Sequence, residues 1–307
     1  MKHLISLFDI TAEDMESVFT LSAKLKRDLK EGTPHPILKG KTLGMIFSKS
    51  STRTRVSFEV GMYQLGGYPL FLSSSDIQLG RGETIYDTAQ VLSRYISGIM
   101  IRTFKHSDVE DLARYGTIPV INGLTDLMHP CQILADLFTV LEAKGRLKGL
   151  KMAYVGDGNN VANSLLHGCA KIGMDISVAA PKGYGCDEGI IEEARADAKK
   201  TGCKLVLTED PVEAVAGADV VYTDTWVSMG QEAEKEVRVK TFLPYQVNKK
   251  LFSHAAADAM FLHCLPAYRG FEVTEDIIDG PNSAVFEEAE NRLHVQKAIM
   301  ALLMEQK

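Results

Sequence analysis

The chain has 307 residues, 45% of them hydrophobic and 24% charged, with a formal net charge of −6. That length suits one large domain or two of ordinary size, and the mild acidity weighs against nucleic acid or an anionic membrane as the main partner. No apolar run is long enough to span a bilayer, the N-terminus lacks a secretory stretch, and Cys131, Cys169, Cys186, Cys203 and Cys264 form no CxxC pair, so a reducing cytoplasm is expected.

Short apolar runs alternate with longer amphipathic stretches, the pattern of parallel sheets flanked by helices. The spacing predicts a helix over Ala12–Leu29, a strand at Thr42–Phe47, a helix over Arg53–Leu65, and strands at Ile99–Arg102 and Ile118–Asn122. A helix follows over Ile133–Ala143, with Ile133, Leu134, Leu137, Phe138 and Leu141 on one face. The second half predicts strands at Met152–Val155, Ile176–Ala180, Val220–Thr223 and Met260–Leu262, then a final helix over Glu287–Glu305. Lys144 to Gly149 is a basic, glycine-containing segment with the character of a hinge. The expected architecture is α/β with two domains, each a mainly parallel sheet flanked by helices: residues 1–145 with 286–307, and residues 146–285. Ligands in such folds sit beyond the carboxyl ends of the strands, so the active site is expected in the interdomain cleft.

Chemistry-bearing residues follow the predicted strands. Ser50-Ser51-Thr52-Arg53-Thr54-Arg55 places hydroxyls and two guanidinium groups at a helix N-terminus, a pattern suited to phosphate. The bland alternative is a helix cap with solvated arginines. Arg102 closes a strand, and on its own is more simply a surface residue. In His129-Pro130-Cys131-Gln132, proline suits the first helical position, so an imidazole and a carboxamide could face one ligand. A second histidine at metal-ligand spacing is lacking there. Asp224 to Gly230 offers a carboxylate, hydroxyls and a glycine turn, fit to grip an ammonium group. His263-Cys264-Leu265-Pro266 sets a thiol at a strand end, where a buried spectator thiol is the simpler reading. Gly156-Asp157-Gly158 after a strand resembles part of a dinucleotide fingerprint, but Val161 stands where the third glycine should fall.

Taken in register, these segments resemble the aspartate/ornithine carbamoyltransferase family, and within it the ornithine branch. Ser51 to Arg55 and His129 to Gln132 match its carbamoyl phosphate motifs. Asp224 to Gly230 and His263 to Pro266 match those of the ornithine enzymes, and Glu288-Ala289-Glu290-Asn291-Arg292 matches the C-terminal signature. Ser48 departs from the pattern, standing where many members carry an acidic or amide side chain.

The resemblance implies transfer of the carbamoyl group of carbamoyl phosphate to the side-chain amine of ornithine, through a tetrahedral intermediate, giving citrulline and phosphate. It implies that Ser51, Thr52, Arg53, Thr54 and Arg102 hold the phosphate, while Thr54, Arg102 and His129 polarise the carbamoyl oxygen. Gln132 and the carbonyls of Leu265 and Arg292 would meet the carbamoyl NH2. Gln78 would reach a neighbouring subunit's site in a homotrimer or an assembly of trimers. Asn160, Asp224, Ser228 and Met229 would bind ornithine, with Cys264 beside the reacting amine and paired with Asp224. No metal and no organic cofactor is implied, because phosphate is already a good leaving group.

Three rival readings stay open on the sequence. Aspartate as acceptor is disfavoured because the Ser73–Thr84 loop carries Arg81 and no lysine. Putrescine or an acylated ornithine is a closer rival. A non-catalytic carbamoyl phosphate sensor is a third, against which the conjunction of Asp224, Ser228 and Cys264 speaks.

Overall fold

The computed structural model describes residues 1–78, 82–228, 230 and 232–305. The chain divides into two compact units. Unit 1 comprises Met1–Ala135 and Glu290–Lys307, and unit 2 comprises Asp136–Ala289.

Unit 1 is built on four parallel strands, β1 (Thr42–Phe47), β2 (Tyr68–Ser73), β3 (Gly98–Arg102) and β4 (Val120–Leu124), in the order β2-β1-β3-β4. The inner strands β1 and β3 are almost wholly buried, as continuous apolar runs covered on both faces should be. Ile46, Ile99, Ile101, Val109, Leu112 and Val120 form one core cluster, each contributing roughly 1.5–3 kcal/mol by burial. The C-terminal part of the Val285–Met304 helix packs on the Thr52–Gln64 helix at Gly61. A Cβ there would lie 3.0 Å from Met300 Cε and 3.1 Å from Lys297 Cγ, so a side chain would push the helices apart.

Unit 2 holds five parallel strands, β5 (Lys151–Val155), β6 (Asp175–Ala179), β7 (Leu205–Thr208), β8 (Val220–Tyr222) and β9 (Met260–Leu262), in the order β7-β6-β5-β8-β9. Its core gathers Ala153, Val155, Val221, Phe261 and Ile278. The expected α/β class holds, with parallel strands alternating with helices in both units.

Two strands lie outside the predicted set, β2 and β7, and both are sheet edges. Pro69 weakens the strand signal of β2 but is tolerated at an edge, where an N–H is not needed on the open side. β7 has only four residues and is mostly half-buried, so neither alternation nor a continuous apolar run marks it. Among the described residues, no helix is long and apolar enough to cross a membrane.

Candidate active site

Each sheet carries its chemistry where the strand order reverses: between β1 and β3 in unit 1, and between β5 and β8 in unit 2. In unit 1, Ser51 is the N-cap of the Thr52–Gln64 helix, its Oγ accepting from the Thr54 N–H at 3.2 Å. The remaining first-turn amides and the helix dipole favour an anion at this point. Thr54 is buried, and its Oγ1 accepts from Arg292 Nη2 at 2.9 Å, which leaves the hydroxyl hydrogen for another acceptor. Arg292 Nη1 donates to Gln132 Oε1 at 2.6 Å. Gln296, with its amide oxygen facing the guanidinium, accepts from Arg292 Nε at 3.2 Å. The Arg292 side chain thus fixes two of the expected ligand-facing residues at once.

The two arginines of the 51–55 segment divide their roles. Arg55 Nε donates to Glu59 at 3.0 Å and its guanidinium lies 3.7 Å from the Phe71 ring centre. Arg53 instead acts on His129, as do Arg292 and Arg102. His129 is buried at the start of the Pro130–Lys144 helix. Burial first, then the charges of these three arginines, holds its imidazole well below the ordinary 6.5. A neutral imidazole among guanidinium groups can donate one N–H to a carbonyl oxygen without surrendering a full proton. Arg102 is itself buried at the end of β3. Gln78 lies exposed after β2, apart from this cluster.

Unit 2 builds the opposite environment. Asp224, just past β8, is buried and accepts three hydrogen bonds: from the Thr225 N–H at 2.8 Å, the Cys264 Sγ–H at 3.1 Å and Asn159 Nδ2 at 2.8 Å. Asn159 also caps the Asn160–Ile172 helix, its Oδ1 accepting from the Val161 and Ala162 N–H groups. Cys264 is half-buried, and desolvation followed by the charges of Asp224 and Glu288 pushes its thiol well above the ordinary range. It therefore acts as a neutral S–H donor to Asp224. Leu265 has φ +56°, and its N–H donates to His263 Nδ1 at 2.9 Å. Accepting there puts the imidazole proton on His263 Nε2, which meets Glu272 Oε1 at 3.2 Å. Asn160 opens the Asn160–Ile172 helix and Ser228 lies in the segment after β8, both half-buried, and Met229 lies outside the described residues.

Three of the groups that organise the site escaped the sequence reading. Asn159 is one residue from the expected Asn160, and its bond to Asp224 spans 65 positions. Arg238 Nη1 donates to Asp157 at 2.9 Å and to the Trp226 carbonyl at 3.0 Å, tying the segment after β8 to the turn after β5. Lys49 is buried, ion-paired with Asp126 and 4.2 Å from the Phe104 ring centre. Lys49 sits one residue before the quoted 50–55 motif, a signal of sorts; Arg238 has none nearby.

Other ligands fit less well. Asp224, His263 and Cys264 bring potential metal-ligating atoms within 4.8 Å of one another, but both His263 ring nitrogens and the Cys264 proton already serve hydrogen bonds. The glycines after β5 serve the chain itself. Gly158 N–H donates to the Tyr184 carbonyl at 2.8 Å, and a Cβ on Gly158 would lie 2.2 Å from the Gly185 carbonyl carbon. The 184–186 segment thus makes the close approach that a pyrophosphate makes in a dinucleotide fold. A cavity of about 310 Å³ at the ends of β6 and β7, lined by Pro181, Lys182 and Leu207 among others, contains none of the expected site residues.

Residues 2–142 match the aspartate/ornithine carbamoyltransferase carbamoyl-P binding domain, and residues 148–303 match the Asp/Orn binding domain of the same family. The chain belongs to the aspartate/ornithine carbamoyltransferase family. It is 62% identical over 303 residues to ornithine carbamoyltransferase of Carboxydothermus hydrogenoformans, covering 99% of this chain and 97% of that one. It is 57% identical to a Pyrococcus furiosus protein named "Ornithine carbamoyltransferase, anabolic", covering 99% and 96%. The solved structure of ornithine carbamoyltransferase from Pyrococcus furiosus superposes with a TM-score of 0.96 at 57% identity, covering 99% and 97%. The family membership expected from the five sequence segments therefore holds.

Proposed function

We propose that this chain is an ornithine carbamoyltransferase that makes citrulline and phosphate from carbamoyl phosphate and L-ornithine, in the anabolic direction of arginine biosynthesis. The observation that carries the reading is the buried, neutral His129 under the charges of Arg53, Arg102 and Arg292. That arrangement suits an acyl phosphate: cations for the phosphate, and a neutral N–H donor for the carbonyl oxygen. We assign carbamoyl phosphate to residues 1–145 with 286–307, and ornithine to residues 146–285.

In this reading Ser51, Thr52, Arg53, Thr54 and Arg102 hold the phosphate. Thr54, Arg102 and His129 stabilise the charge that grows on the carbamoyl oxygen as the amine attacks. Gln132 Oε1, which accepts one bond from Arg292, keeps a second lone pair for the carbamoyl NH2; the Leu265 and Arg292 carbonyls supply further acceptors. Asn160, Asp224, Ser228 and Met229 take the ornithine amino and carboxylate groups. A free side-chain amine resembles lysine, with a pKa of about 10.4, and must attack as the neutral form. Cys264, held as a thiol by Asp224, supplies sulfur lone pairs to receive an N–H of that neutral amine. No step calls on a metal or cofactor, since the carbamoyl–phosphate bond supplies the leaving group.

We further assign a cytoplasmic homotrimer, alone or within a larger assembly of trimers, with Gln78 serving a neighbouring subunit. The exposed Val56, Val60 and Tyr63 on one helix, beside Tyr68 on the edge strand β2, support a protein partner for that face of unit 1. The test is product formation from carbamoyl phosphate with ornithine, aspartate, putrescine and N-acetylornithine side by side. Strong preference for ornithine is expected. Preference for another amine would overturn the assignment of Asp224 and Ser228, and no turnover with any would favour a binding protein.

A further inference from the structure

Behind the Cys264 loop lies a buried acidic pair that the proposed reaction leaves unused. Asp136 and Glu288 are both fully buried. Glu288 Oε2 accepts from the His263 backbone N–H at 2.9 Å, and Glu288 Oε1 accepts from the Tyr222 hydroxyl at 3.3 Å. β9 ends the sheet, with β8 on one side and a short bridge from Phe261 to Ser283 on the other. The Glu288 side chain receives the His263 N–H just beyond the strand's end. Asp136 neighbours Glu288 closely enough that its charge and a side-chain hydrogen bond from it both raise the Glu288 carboxyl. Two carboxyl groups can share a hydrogen bond only if one carries the proton. Burial and the Asp136 charge both push Glu288 well above the ordinary carboxyl range, in keeping with a retained proton.

We propose that Asp136 and Glu288 share one proton as an acid pair that positions the His263–Leu265 segment, so that Cys264 meets Asp224 and the Leu265 carbonyl is correctly aimed. This role rests on the proposed function for its kinetic consequence, but not for its structural one. Glu288 is thus a positioning residue. It holds the amide one residue before the thiol, and the same His263 ring anchors the Leu265 N–H. The requirement is for a group that accepts from His263 and donates towards Asp136, and not for an ionised carboxylate. A glutamine meets it: its oxygen takes the His263 N–H, and its NH2 donates to Asp136 or Tyr222.

The test compares Glu288→Gln, Glu288→Ala and Tyr222→Phe with the parent, reading citrulline formation and the rate of Cys264 alkylation by iodoacetamide, mapped by peptide mass. Half-buried Cys203 serves as the internal reference. Glu288→Gln is expected to keep kcat and Cys264 alkylation within about threefold, and Tyr222→Phe to cost less. Glu288→Ala is expected to lower kcat by tenfold or more and change Cys264 alkylation by a similar factor, with Cys203 unaffected, because small misplacements at a reacting centre are costly. A Glu288→Gln protein that folds but loses kcat and Cys264 alkylation control tenfold would overturn the shared-proton pair. So would a Glu288→Ala protein that matches the parent in both. If the parent makes no citrulline, the functional reading fails, while the alkylation comparison still decides the positioning role. Should Glu288→Ala not fold, Glu288→Gln and Tyr222→Phe carry the decision alone.

Discussion

The two site clusters surround their buried ionisable groups with charges of opposite sign. In unit 1, three guanidinium groups and burial hold His129 neutral, well below its ordinary value. In unit 2, burial and carboxylates push Cys264, Tyr154, Tyr222 and Glu288 upward. One cluster suits a negative charge, and the other suits a cation or an amine, as the proposed function requires. Burial favours the neutral form in both, lowering the base His129 and raising the acids Cys264, Tyr154, Tyr222 and Glu288. The sign of the neighbouring charges differs, and it matches an acyl phosphate on one side and an amino acid's ammonium groups on the other.

Breaking the cationic side should have the largest effect. Arg102→Ala removes a buried charge from the proposed carbonyl and phosphate positions at once, and kcat/KM for carbamoyl phosphate is expected to fall by about 10³-fold or more, measured by steady-state citrulline formation. Breaking the acidic side at its thiol should cost less. Cys264→Ala leaves Asp224 with two of its three described donors, and kcat is expected to fall by about 10–100-fold. An unchanged kcat and pH profile would remove Cys264 from the mechanism.

The next variant separates architecture from chemistry. Arg292→Met takes the donors away from Thr54 and Gln132, and urea unfolding should show a loss of about 2–4 kcal/mol. A fully stable variant would mean that those bonds re-form through other groups. The smallest effect concerns Lys297, buried against Gly61, where its Nζ donates to the Leu25 carbonyl and His35 Nε2. Burial lowers its pKa from 10.5 to about 8. Between those values the unfolded chain binds the extra proton, so this lysine's unfavourable contribution is full below about 8 and is relieved as pH rises towards 10.5. Stability relative to Lys297→Met should therefore rise for the parent between roughly pH 7 and pH 9, by at most about 1 kcal/mol once solvent screening is allowed for. A difference independent of pH would show that the lysine is already adequately solvated.

The same contrast governs what could be read before the fold was known. Thr42–Phe47 and Met260–Leu262 emerge with the predicted bounds because a short apolar run closed by polar residues carries its own signal. The edges β2 and β7 do not, since Pro69 and half-exposed faces blur it. Ser51 as a cap and Pro130 as a helix start are equally local, being set by neighbours within three residues. Asn159, Arg238 and the side-chain role of Arg292 are not local. Their partners lie 65, 81 and up to 238 positions away, and only the folded chain brings them together.

The proposed division of labour requires the cationic cluster of unit 1 to bind the acyl phosphate independently of the acidic cluster of unit 2. Calorimetric titration with carbamoyl phosphate alone, on Arg102→Ala and on Asp224→Asn, tests it most directly. Affinity is expected to weaken by about 100-fold or more in Arg102→Ala and to equal the parent's in Asp224→Asn. Equal losses in both variants, or a loss confined to Asp224→Asn, would contradict it.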